Sequence, residues 1–124
     1  MEKRTRLKIL LVDDERDLLE MIVEIFINYG HDVSFCYSGN EAIEILKKEK
    51  FDIVVSDFIM PNGNGIDILI FINSIKEKPL FFFASGLADL SVEDCIKLGA
   101  RRYFSKPFDC DLLVAEIEKE FRGY

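Results

Sequence analysis

Short apolar bursts alternate with longer amphipathic stretches along the chain, and no other feature restricts its fold so tightly. The bursts at Lys8–Val12, Ile53–Ser56 and residues 80–84 are nearly continuous hydrophobics, as parallel strands covered on both faces must be. Two weaker bursts, residues 33–36 and 102–104, complete the set. The stretches between them carry helix punctuation. Residues 16–29 place Leu18, Leu19, Ile22, Val23, Phe26 and Ile27 at helical spacing, with Gly30 just past the end. "SGNE" (38–41) is a capping box opening Gly39–Lys48, and "SVED" (91–94) opens a helix that stops at Gly99. Residues 111–122 put Leu113, Ile117 and Phe121 on one face.

Residues 65–76 are ambiguous locally, because "IDILIFINSI" has strand propensity. Parallel strands need a crossover between them, so the stretch is expected to be a helix. Its apolar residues run nearly all round, leaving candidates for an exposed patch. Five βα units of this kind give an α/β fold, a flavodoxin-like doubly wound (βα)5 sandwich. Strand order 2-1-3-4-5 is its simplest right-handed solution. The 124 residues suit one domain, 1–124, with a structured core of about residues 7–122.

Sheets of this type bind ligands outside the carboxyl ends of their strands. Strand 1 ends in "VDDE", giving Asp13 and Asp14, and strand 3 ends in Asp57. Strand 4 runs into Ser85 and Gly86, and strand 5 into Lys106 and Pro107. Taken singly, each has an ordinary explanation: Asp14 as a helix cap, Ser85 as a turn residue, Lys106 as a solvated charge. The fold, however, brings all four strand ends to one crevice. Three ionised aspartates there sum to −3, which a divalent cation and Lys106 would cancel. Mg²⁺, with its preference for carboxylate and water oxygens, suits such a set.

Composition removes other classes. A net charge of −7 argues against a nucleic-acid surface. Lys3, Arg4, Arg6 and Lys8 cluster at a chain end, where a solvated tail is the simpler reading. Three widely spaced cysteines and one histidine give neither a disulfide framework nor a zinc site. His31, following Gly30 at a helix end, reads as an exposed turn residue. No apolar run approaches the roughly 18 residues that span a bilayer, and the N-terminus is not a signal peptide, so a cytoplasmic protein without membrane contact is expected.

With "VDDE", the D-x-x-M-P-x-x-x-G segment from Asp57 to Gly65, "ASG" after strand 4 and "YFSKPF", the chain resembles the receiver domains of two-component response regulators over essentially its whole length. The resemblance implies that Asp57 accepts a phosphoryl group from a sensor histidine kinase or phosphotransfer protein. It implies Mg²⁺ (or Mn²⁺) on Asp13, Asp14, Asp57 and the Ile59 backbone carbonyl, with Asp13 acting mainly through water. Lys106 and Ser85 would hold phosphoryl oxygens, and Gly86 would leave room for the donor. A cis Lys106–Pro107 bond would aim the lysine inward. Ser85 and Tyr103 would switch the surface of helix 4, strand 5 and helix 5 (residues 90–99 and 102–122) for an unknown output partner. Such a domain is no enzyme in the ordinary sense, since it catalyses only its own phosphorylation and dephosphorylation.

Ile59 and Leu87, positions that vary in the family beside the attacking water, are both apolar here, so a long-lived phosphoprotein is expected. Ile59 also weighs against a haloacid-dehalogenase-type phosphatase, which needs an aspartate two residues after its nucleophile. "DDERD" after strand 1 would repel the phosphate of a flavin cofactor. A degenerate receiver, acting as a phosphorylation-independent interaction module, is the remaining alternative.

Overall fold

The computed structural model describes residues 6–86 and 91–123. Ten elements alternate: β1 (Lys8–Val12), α1 (Arg16–Asn28), β2 (Asp32–Cys36), α2 (Gly39–Lys48), β3 (Ile53–Ser56), α3 (Gly65–Ser74), β4 (Leu80–Ser85), α4 (Val92–Lys97), β5 (Arg102–Ser105) and α5 (Cys110–Arg122). The strands are parallel, in order β2-β1-β3-β4-β5, as the alternation predicts. Boundaries move by a residue or two from expectation. For example, β4 runs on to Ser85 and α5 begins one residue earlier, at Cys110.

Alternation along each central strand feeds two separate cores. Leu10, Val12, Val54, Phe81 and Phe83 pack with Ala42, Leu46, Ile68, Leu69, Ile72 and Cys95 from α2, α3 and α4. Ile9, Leu11, Ile53, Val55, Phe82 and Ala84 pack with Leu19, Ile22, Phe26, Leu113, Val114 and Ile117 from α1 and α5. Each large side chain so buried contributes about 1.5–3 kcal/mol. The edge strands β2 and β5 are only partly covered, which explains their weaker apolar signal.

The ambiguous stretch is helical. Asn64 and Asp67 form a reciprocal capping box that starts α3, a local signal that opposes its strand propensity. Its outward Ile70 is 60% exposed, in keeping with the apolar circumference. His31 corrects the sequence reading, since it is buried rather than an exposed turn residue. Its Nδ1 accepts from the Leu7 N–H at 3.1 Å, so Nε2 carries the ring proton and donates to Glu118 at 2.7 Å. The imidazole thereby ties the entry of β1 to α5. Among the described residues, no helix is long and apolar enough to cross a membrane.

Candidate functional site

Strand register brings the acids together. Val12 pairs with Ser56, so Asp13 and Asp57 leave adjacent strands at one level. The Asp57 N–H donates to the Val12 carbonyl at 3.0 Å, which carries the ladder one residue past β3 and fixes the Asp57 backbone. Gly65 sets the other side of that backbone: a Cβ there would stand 2.5 Å from the Asp57 carbonyl oxygen. The intervening loop is stitched to the start of α2, with the Gly39 and Asn40 N–H groups donating to the Gly63 and Asn62 carbonyls at 2.8 and 3.0 Å. Those bonds also satisfy α2 amides that no helical carbonyl can reach. Asn62 and Gly63 adopt positive φ to make the turn.

Asp57 is buried, with both carboxylate oxygens engaged. Oδ1 accepts from the Phe58 N–H at 2.7 Å and from the Ser85 hydroxyl, while Oδ2 faces Lys106 Nζ at 3.2 Å. Lys106 also donates to Asp13 Oδ2 at 2.8 Å and Glu15 Oε1 at 3.0 Å. Burial works to lower the Lys106 pKa, but the hydrogen bonds to Asp13 and Glu15 and the charges of Asp13 and Asp57 outweigh it, so the ammonium is held above its ordinary value. Asp13 moves the other way from most ion-paired acids. Burial raises its pKa more than the Lys106 contact and the Glu15 N–H lower it.

Asp14 is exposed, yet one carboxylate oxygen each from Asp13, Asp14 and Asp57 lie within 4.8 Å of one another. Three hard oxygen donors so close fit a divalent cation such as Mg²⁺. Asp14, Asp57, Ile59, Ser85, Gly86, Lys106 and Pro107 line one cavity of about 710 Å³, whose apolar wall is Leu18, Met21 and Phe108. The Lys106–Pro107 bond is cis. Tyr103 is half-buried against the α2–α4 core, and its hydroxyl donates to the Ser85 carbonyl at 3.2 Å. Thus Asp13, Asp14, Asp57, Ile59, Ser85, Gly86, Lys106 and Pro107 converge, with Tyr103 adjoining through Ser85. Leu87 lies outside the described residues.

Sequence reasoning missed Glu15. It stands beside the acidic pair, but its partner Lys106 is 91 residues away. A lysine has three N–H donors. Counting them against the acids at the strand ends would have signalled room for a third carboxylate.

The family model for the response regulator receiver domain matches residues 9–118. The chain is 31% identical over 117 residues to the regulatory protein VanRc of Enterococcus gallinarum, covering 94% of this chain and 51% of that protein. It therefore spans about half the length of that curated relative. Its structure superposes on the receiver domain of the Francisella response regulator 1452 with a TM-score of 0.86, at 25% identity, covering 94% of this chain and 98% of the other. The CheY structure of the Borrelia burgdorferi CheX–CheY–BeF3–Mg complex gives a TM-score of 0.84 at 27% identity, over 93% of this chain and 89% of the other. The acidic crevice, the lysine and hydroxyl at the neighbouring strand ends, and the match over most of the sequence agree: this chain belongs to the response regulator receiver domain family.

Proposed function

We propose that this chain takes a phosphoryl group on Asp57 from the phosphohistidine of a sensor histidine kinase or phosphotransfer protein, and passes the signal on through α4, β5 and α5. The observation that carries this reading is the pairing of Asp57 with a cation and a hydroxyl inside a crevice open to a donor. In the reaction an Asp57 carboxylate oxygen attacks phosphorus and the P–N bond breaks. The imidazole leaves with that electron pair and takes up a proton, and an acyl phosphate remains. Receiver domains bind Mg²⁺ at an acidic pocket, and here Asp13, Asp14, Asp57 and the Ile59 carbonyl would hold it. Bound there, the ion (or Mn²⁺) supplies neutralisation of the charge on the phosphoryl oxygens. Lys106 donates to one of those oxygens and Ser85 to another, while Gly86 leaves the approach clear.

The added group brings a charge of about −1.5 to −2 and new acceptors. Ser85, now bonded to Asp57, re-aims its hydroxyl toward them. Because Tyr103 donates to the Ser85 carbonyl, movement of Ser85 reaches β5 through that bond. The output face therefore comprises α4, β5 and α5, and its reader is a protein or an attached domain. The Ile59 side chain, apolar and half exposed at the cavity, offers hydrolytic water no hydrogen bond, which favours a lasting phosphoprotein. Cytoplasmic action goes with this reading, because kinase and receiver must meet.

The test is amide NMR with Mg²⁺ and beryllofluoride, a phosphoryl mimic. Shifts at Ser85 and Tyr103 that extend through α4 and α5 are expected. Changes confined to the immediate neighbours of Asp57 would instead favour an interaction module without a switch.

A further inference from the structure

Glu15 occupies the N-cap position of α1, yet its side chain makes no capping hydrogen bond. It crosses instead to Lys106, so a residue at the start of α1 ties down the cation at the end of β5. That contact has a consequence for the reaction. An ammonium has three donors, and Asp13, Glu15 and Asp57 use all three. Of the three contacts, the one to Asp57 is the longest, at 3.2 Å. Lys106 can therefore take a phosphoryl oxygen only by releasing a carboxylate.

Burial decides which one. The Asp13 side chain is 7% exposed and would be left without its cation in a buried place, whereas the Glu15 side chain is 61% exposed and water replaces its partner at little cost. We infer that Glu15 is a positioning residue: it holds Lys106 on the α1 side of the cavity at rest and gives it up when a phosphoryl group arrives. Glu15 thus sets the ease of phosphorylation without touching the reacting atoms. The inference rests on reading Lys106 as the phosphoryl-binding cation.

The experiment compares wild type, Glu15→Gln and Glu15→Asp in Mg²⁺. It reads the rate of mass gain from acetyl phosphate and the ¹⁵Nζ ammonium signal of Lys106 with and without beryllofluoride. Both variants lose the contact, because aspartate keeps the charge but is one methylene too short. Both are expected to phosphorylate about two- to fivefold faster, the factor that an exposed ion pair corresponds to, and the gain shrinks at high salt. Their resting Lys106 signals should differ from wild type, and all three proteins should converge once beryllofluoride is bound. A structural role alone would not produce that convergence. Glu15→Asp behaving as wild type, or Glu15→Gln leaving rate and resting signal unchanged, overturns the inference while the receiver reading stands. A wild type that neither gains mass nor responds to beryllofluoride overturns both.

Discussion

Replacing Gly65 with alanine would place a methyl carbon 2.5 Å from the Asp57 carbonyl oxygen, 2.8 Å from Phe83 Cε1 and 3.3 Å from Ser56 Oγ. Ordinary contact begins near 3.4 Å, so methyl and carbonyl must part by about 0.9 Å. Phe83 is fully buried against Phe58 and Phe81 and has no room to yield. Ser56 is engaged as well, since its hydroxyl donates to the same Asp57 carbonyl at 2.8 Å. The displacement therefore falls on the Asp57 backbone or on the start of α3. Overpacking of this kind costs about 1–3 kcal/mol, or about 4–12 °C in Tm for a domain of this size. If most of the shift reaches the carboxylate, phosphorylation slows about 100-fold. Thermal unfolding and the rate of mass gain from acetyl phosphate with Mg²⁺ measure the two effects. Gly86→Ala is the control, because its methyl would meet only Lys106 Cβ, at 3.8 Å. That variant should keep its Tm within about 1 °C while still slowing transfer, since its methyl stands where the donor must approach. A Gly65→Ala protein with unchanged Tm and a rate within about twofold of wild type would refute the reasoning.

Asp57→Asn keeps an acceptor for the Phe58 N–H and Ser85 while removing one of three crowded charges. In EDTA it should melt about 3–6 °C above wild type, and the gap should close in excess Mg²⁺. His31→Ala takes the imidazole from between the Leu7 N–H and Glu118, so a loss of about 2–4 kcal/mol is expected by denaturant unfolding, with phosphorylation of the folded protein unchanged. Burial pushes the Cys36 thiol up to about 12, and Cys95 is likewise buried and raised. Cys110, half-buried at the cavity, should be the first thiol that iodoacetamide labels in the native protein. Cys36 labelling should rise about tenfold per pH unit below its pKa, as the thiolate fraction grows. Ile59→Asn gives hydrolytic water a partner, and phosphoryl loss followed by mass should accelerate about two- to tenfold, the worth of one hydrogen bond.

Much of the site was legible because its residues follow apolar bursts directly: Asp13, Asp14, Asp57 and Lys106 each stand just beyond a strand that periodicity locates. Sheet order then supplied their proximity. α3 was legible only through topology, although the Asn64–Asp67 cap was a local signal for the same answer. His31 and Glu15 escaped for a different reason. Each is defined by partners far off in the chain, Leu7 and Glu118 for one and Lys106 for the other, so neither carries a periodic mark. The stitching of the Asn62–Gly63 turn onto α2 was equally hidden, because backbone groups make those bonds whatever the side chains.

Intact mass after incubation with acetyl phosphate and Mg²⁺, beside Asp57→Asn and an EDTA control, tests the central claim most directly. A gain of one phosphoryl group in the wild type alone, lost with EDTA, is the result the crevice predicts. No gain from acetyl phosphate or phosphoramidate in folded protein, or an equal gain in Asp57→Asn, would contradict it.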